Sequence, residues 1–295
     1  MSRKSSRTFP CSCLAMAFFI VVSAAVSVAF SSPAAFAADP PKMPFVRIVA
    51  FGDSFSDDGF ADGFGFKRYT ETKTWVEQLA ELLSLPLEDR AWGGAMSDKR
   101  NCNHPEGVEW SGFLWQIDDY VDNLQPGEDI SNVLFTVMVG SNDVWYGIED
   151  GATTAANIKA GIERLAAKGA KHVLYCETMT AMLAPGYLAG DYVKYAEPWT
   201  RLVDKSNETT KAELSKGLPE HPELSIYYYE TNPLMEKIKA GAEGFKFDDV
   251  ETGWWGTYVY PEPYKYLWYD EWHPMGQLHK LMAEDVLAKL TEAVK

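Results

Sequence analysis

The sequence predicts an α/β protein, with one central parallel sheet and helices on both of its faces. Three observations carry this. Apolar runs of strand length alternate with segments of helical apolar spacing along the chain. One run, Asn132–Gly140 (NVLFTVMVG), is continuously apolar, as in a strand covered on both faces. No internal repeat, low-complexity linker or domain break interrupts the alternation.

The elements follow in order. Phe45–Phe51 (FVRIVAF) is a β-branched, apolar strand ending at Gly52. Thr74–Leu85 places Trp75, Leu79, Leu82 and Leu83 on one helical face. A short second strand precedes Ala91. Ser111–Leu124 is helical and stops at Pro126-Gly127. After the strand Asn132–Gly140 comes a helix over Gly151–Ala170, ended by Gly169. His172–Met179 and Leu224–Thr231 are two more strands, separated by a long helix over Pro198–Gly217. Met275–Val294 closes the chain as a helix, and Ala242–Trp272 before it is expected to be an irregular insertion.

The first 37 residues are not expected to join this fold. Arg3, Lys4 and Arg7 precede an apolar stretch, Leu14–Phe30, and Ala35 and Ala37 form a small-x-small cleavage pattern. Residues 1–37 are therefore expected to be a cleaved signal peptide, leaving a single domain, 38–295, that is secreted or periplasmic without a stable membrane anchor. Cleavage removes three cations and takes the formal charge from −15 to −18. Such a surface repels nucleic acid and anionic membranes. Two cysteines then remain. Cys176 sits in an apolar strand and Cys102 in a polar stretch, and they are expected to stay unpaired.

In a parallel sheet of this kind, ligands bind beyond the carboxyl ends of the strands. Four segments fall there: Gly52-Asp53-Ser54, Trp92-Gly93-Gly94-Ala95, Gly140-Ser141-Asn142-Asp143, and Asp270-Glu271-Trp272-His273-Pro274 just before the last helix. Each alone is a cap or a turn. Together they supply acyl transfer. Ser54 is a nucleophile that needs a base, His273 can be that base, and Asp270 can orient its imidazole. The Ser54 and Gly94 amides and the Asn142 side chain can bind an oxyanion. The acidic stretch Ser56–Phe66 fails as an EF-hand, because Phe60 and Tyr69 fall at ligand offsets. No cofactor motif is present.

These segments resemble the blocks of the GDSL, or SGNH, hydrolase family. "FGDSFSDDG" is similar to the first block, "WGGA" to the second, "GSNDVW" to the third and "DEWHP" to the last. Phe55 stands where leucine is usual. The resemblance covers most of residues 38–295 and is strongest to the secreted phospholipase, lecithinase and hemolysin branch. It implies a three-layer flavodoxin-like fold, esterase or lipase activity, and no metal. It also implies a Ser54–His273–Asp270 triad and an oxyanion hole of Ser54, Gly94 and Asn142. The expected partner is a small-molecule or lipid ester. From Trp254 to Trp272, nine of nineteen residues are aromatic: Trp254, Trp255, Tyr258, Tyr260, Tyr264, Tyr266, Trp268, Tyr269 and Trp272. About half are expected in the core and the rest in a cleft wall. Aromatics suit an acyl chain and a sugar ring alike. A carbohydrate acetyl-esterase, a lipid acyltransferase and an inactive glycan-binding protein therefore stay open beside the lipid esterase.

Overall fold

The computed structural model describes residues 42–59, 65–146, 150–179, 184–242, 244–255 and 265–294. The expected signal peptide, 1–37, lies outside them, as do Tyr258, Tyr260 and Tyr264 of the aromatic stretch.

Five strands form a wholly parallel sheet: β1 (Arg47–Gly52), β2 (Leu87–Asp89), β3 (Val133–Met138), β4 (His172–Cys176) and β5 (Ser225–Tyr229), in the order β2-β1-β3-β4-β5. This is the flavodoxin-like order, which reverses direction between β1 and β3. The carboxyl ends of those two strands therefore diverge into a crevice, and the first and third motifs follow them directly.

Strand alternation divides the core into two layers. On one face Ile48, Ala50, Leu134 and Leu174 pack under helices α1 (Trp75–Leu83) and α8 (Gly276–Ala293). On the other, Val49, Phe51, Phe135, Val137 and Val173 pack under α2 (Phe113–Asp122) and α4 (Gly151–Ala167). The α2–α4 contact is close because Gly161 meets the Phe113 ring, with no room for a Cβ. Helix α6 (Ala196–Leu214) packs beside α4. Helix α1 starts at a capping box: Thr74 Oγ1 accepts from the Glu77 amide, while the Glu77 carboxylate accepts from the Thr74 amide at 2.8 Å. The sheet, both core layers and these helices all lie in the compact unit Pro40–Lys295.

The structure departs from the sequence reading in short elements. The expected turn after β3 is a five-residue helix, α3 (Ser141–Trp145). Helices α5 (Pro185–Leu188) and α7 (Asn232–Lys239) were not anticipated. The expected irregular insertion contains a bulged parallel pair, β6 (Asp249–Gly253) and β7 (Tyr266–Trp268). Its strand signal is hidden because Asp-Val-Glu-Thr-Gly has no apolar alternation. Cys102 and Cys176 are both free thiols.

Candidate active site

The turn after β1 is fixed from below. The buried Gln116 side chain accepts from the Gly52 amide at 3.0 Å and donates to the Gly52 carbonyl at 2.9 Å. The chain then tightens, with Ser56 and Asp57 amides donating to the Asp53 carbonyl. This lifts Ser54, 8% exposed, onto the rim.

His273 reaches Ser54 from the loop before α8. Its Nε2 lies 2.9 Å from Ser54 Oγ. Its Nδ1 lies 2.9 and 2.8 Å from the two Asp270 carboxylate oxygens. His273 stands 219 positions from Ser54 in sequence, yet the three side chains are joined as one hydrogen-bonded chain. Asp270 is itself fixed, because its Oδ1 accepts the Trp272 and His273 amides at 2.8 Å each. Burial works to raise the Asp270 carboxyl, but the His273 contact and these two amides hold it below the usual carboxylate value. It is a carboxylate opposite the imidazole, which sets Nδ1 as the protonated nitrogen and leaves Nε2 to face Ser54 as an acceptor. The α8 entry is anchored in turn, since Glu71 accepts the Gly276 amide at 3.0 and 2.9 Å. The Tyr69 ring leans on the imidazole at 4.4 Å between centroids.

The expected oxyanion donors lie on two other loops. Asn142 is the second residue of α3. Its Nδ2 donates one hydrogen to the Ala95 carbonyl at 3.0 Å, and its Oδ1 accepts from Cys102 Sγ at 3.5 Å. The amide is thereby oriented beside the cleft it lines, and these two contacts use one of its two N–H groups. Gly94 stands at φ +86, and a Cβ there would collide with Asn101 and Asn103. Its carbonyl accepts the amide of Cys102, which lines the cleft; Gly94 itself is not a lining residue. The neighbouring Gly93 amide is committed to Asp57 at 2.6 Å, which distinguishes the two glycines.

Three buried aspartates, not singled out in the sequence reading, hold these loops together. Asp53 accepts from Ser141 Oγ at 2.9 Å and the Phe55 amide at 3.1 Å. Asp57 takes the amides of Gly59, Phe66 and Gly93. Asp143 takes the Ser97 amide at 2.8 Å, the Ser97 hydroxyl and Thr154 Oγ1 at 3.1 Å. Burial pushes all three carboxyls up, Asp53 and Asp143 to about 6.

The cleft above Ser54 holds about 270 Å³. Its walls are mainly apolar: Phe55, Trp145, Met179, Ala184, Tyr187, Trp268 and Trp272, with Tyr146 at its edge. Of the expected aromatic wall, Trp268 and Trp272 are there, while Trp255 is exposed to solvent. Trp145 and Tyr187 come from other segments and meet Trp272 edge-on at 5.0 and 4.9 Å.

A family model described as GDSL-like Lipase/Acylhydrolase matches residues 48–286. The structure is similar to the native aryl esterase of M. smegmatis, with 14% identity and a TM-score of 0.53, over 85% of this chain and 100% of that one. It is also similar to a putative arylesterase from Agrobacterium tumefaciens str. C58, with 13% identity and a TM-score of 0.50, over 85% and 100%. At these identities the likeness is one of fold. No curated protein matches the sequence.

Proposed function

Because the chain belongs to the GDSL-like lipase/acylhydrolase family and is thus a carboxylic ester hydrolase by family, we propose that it cleaves esters of apolar acyl groups through an acyl-enzyme on Ser54. The observation that carries this reading is His273 bridging Ser54 Oγ and the Asp270 carboxylate, each at hydrogen-bond distance. Ser54 Oγ attacks the ester carbonyl while His273 Nε2 takes its proton. Asp270 stabilises the imidazolium and stays ionised. The oxyanion is met by the Asn142 amide and the backbone N–H groups of Ser54 and Gly94. His273 then gives its proton to the leaving alkoxide. Water, deprotonated by the same imidazole, releases the acid from Ser54.

The apolar walls support an acyl chain as the bound group. A volume of 270 Å³ equals that of about nine liquid waters, enough for a short or medium chain. Each buried CH₂ contributes about 0.8 kcal/mol, so each should raise kcat/KM roughly threefold until the cleft is full. A lipid acyl ester fits this better than an acetylated sugar, and it agrees with the resemblance to the secreted phospholipase branch. Export through residues 1–37 belongs to the same proposal and would put the enzyme outside the cytoplasm.

The test is a series of p-nitrophenyl esters from acetate upward, beside phosphatidylcholine and acetylated xylan, with a phosphonate probe for Ser54. Labelling of Ser54 and rates that climb with chain length are expected. Deacetylated xylan with rates that fall beyond acetate would overturn the lipid assignment. No labelling of Ser54 would overturn the mechanism.

A further inference from the structure

The mouth of the cleft carries a concentration of exposed apolar side chains. Among the described residues, Leu188, Tyr192, Val193 and Tyr195 are all more than a third exposed and fall within eight consecutive positions. This segment joins α5, whose Tyr187 lines the cleft, to the start of α6. It is seated on the cleft wall. Tyr192 meets Trp145 edge-on at 5.3 Å and Trp272 at 5.4 Å, and Tyr195 stacks on Trp199 at 4.8 Å. Apolar patches of this kind on a surface mark sites of interaction.

Beside the segment runs a shallow groove of about 730 Å³. Lys194, Arg201 and Lys205 line it, together with the rings of Tyr195 and Trp199. Lys194 Nζ lies 4.9 Å from the centre of the Tyr195 ring, and Arg201 pairs with Glu197. Over residues 188–205, Asp191, Glu197 and Asp204 balance the three cations, so this stretch carries no net charge on a chain of formal charge −15.

We infer that this rim docks onto the surface of a zwitterionic phospholipid aggregate and so presents the cleft to esters held in it. The inference rests on the reading of Ser54 as the nucleophile for apolar acyl esters. The chemistry of the patch matches such a surface in three ways. Tyrosines with apolar bodies and polar tips settle at the lipid–water boundary, and Leu188 and Val193 can enter the acyl layer. The lysines of the groove suit the phosphate of the headgroup. A neutral face avoids the repulsion that the rest of this acidic chain would meet at an anionic membrane, and two such acidic copies would repel each other at a self-interface.

The experiment uses the whole protein with Leu188→Asp and Val193→Asp combined. The control is Val46→Asp, an exposed valine just before β1, at the end of the sheet away from the site. Two quantities are read: kcat/KM on dissolved p-nitrophenyl butyrate, and kcat/KM on p-nitrophenyl decanoate carried in phosphatidylcholine vesicles. Sedimentation with the same vesicles is measured in a Ser54→Ala background. The double variant should keep the soluble rate within about twofold, and lose about tenfold or more in vesicle binding and vesicle-borne turnover. The control should lose neither. Unchanged vesicle binding, or equal losses on both substrates, would overturn the docking surface. An inactive parent that still sediments through this rim would instead count against the esterase reading and leave the surface standing. A parent that dimerises through these residues and ignores vesicles would assign the patch to a second copy and overturn the inference.

Discussion

Replacing Asp270 by asparagine tests the tautomer logic of the site. The new side chain can keep its carbonyl oxygen where Asp270 Oδ1 accepts the Trp272 and His273 amides, so the loop should hold its shape. Its NH₂ group then stands where Oδ2 lay, 2.8 Å from His273 Nδ1. An NH₂ group only donates, so it favours a bare Nδ1 and shifts the imidazole proton to Nε2, against the pull of the retained Oδ1 at 2.9 Å. That nitrogen faces Ser54 Oγ at 2.9 Å and can no longer take its proton. The same exchange in a Ser-His-Asp triad costs on the order of 10⁴ in kcat, equivalent to about 5.4 kcal/mol in the barrier. We expect that loss in kcat on p-nitrophenyl butyrate, with KM nearly unchanged. The carboxyl of Asp270 is held low in the folded state, so its stabilisation is present above the unfolded carboxylate value and disappears as pH falls through the lowered one. The variant should therefore lose that acid-sensitive component. A loss below about tenfold, or one confined to KM, would refute Asp270 as the group that sets the tautomer.

Ser54→Ala should leave the fold intact and cut kcat by about 10⁶, measured by the release of p-nitrophenol, because the nucleophile of a coupled unit is gone; turnover near the parent's would sink the mechanism. Asn142→Ala should cost about 10²–10³ in kcat for the loss of one oxyanion donor, and a pure KM effect would count against that role. Gly186→Ala puts a Cβ against the Trp272 ring, so it should shift the acyl-length preference toward shorter chains in the same ester series. Asp53→Asn should stabilise the protein at about pH 8. The Asp53 carboxyl is raised to about 6 by burial, so the parent loses stability as pH rises from the unfolded value of 3.8 through 6, by up to about 3 kcal/mol. Thermal melts should show a flatter profile for the Asp53→Asn variant across that window, and parallel profiles would refute the assignment.

The parallel sheet was legible in the sequence because β1 and β3 are buried on both faces and so read as unbroken apolar runs. Ser54, His273 and Asp270, which the structure joins by hydrogen bonds, stood out for a different reason: few side chains can act as nucleophile, base and orienter, and those types recur at strand ends. The cleft wall was only half legible. Trp272 lies beside His273 in sequence, but Trp145 and Tyr187 reach it from segments with no distinguishing mark, and an aromatic lining a cleft has the same spacing as one in a core. Helix α7 was missed because only Leu234, Met235 and Ile238 face inward, too few to establish a period over eight residues. The strand β6 was missed because its single large apolar residue, Val250, is exposed and the rest is polar or glycine.

The acidic residues around Ser54 serve to fix geometry. The groups proposed to react come from four segments, and acyl transfer tolerates misplacement of only about half an ångström. Something must cross-link the loops. Asp53 ties the β1 turn to Ser141 beyond β3, Asp57 ties it to Gly93 beyond β2, and Asp143 ties α3 to Ser97. A carboxylate suits this task, since it accepts several amides and hydroxyls at once with short, strong bonds. The same burial that makes these bonds strong disfavours the charge, which is why these carboxyls titrate high while the more exposed Asp270, facing an imidazole, titrates low. The site therefore gains its geometry by holding ionised groups where the fold would be more stable with neutral ones, and the Asp53→Asn variant should separate the two: higher stability near neutral pH, with Ser141 and the neighbouring Asn142 less firmly placed.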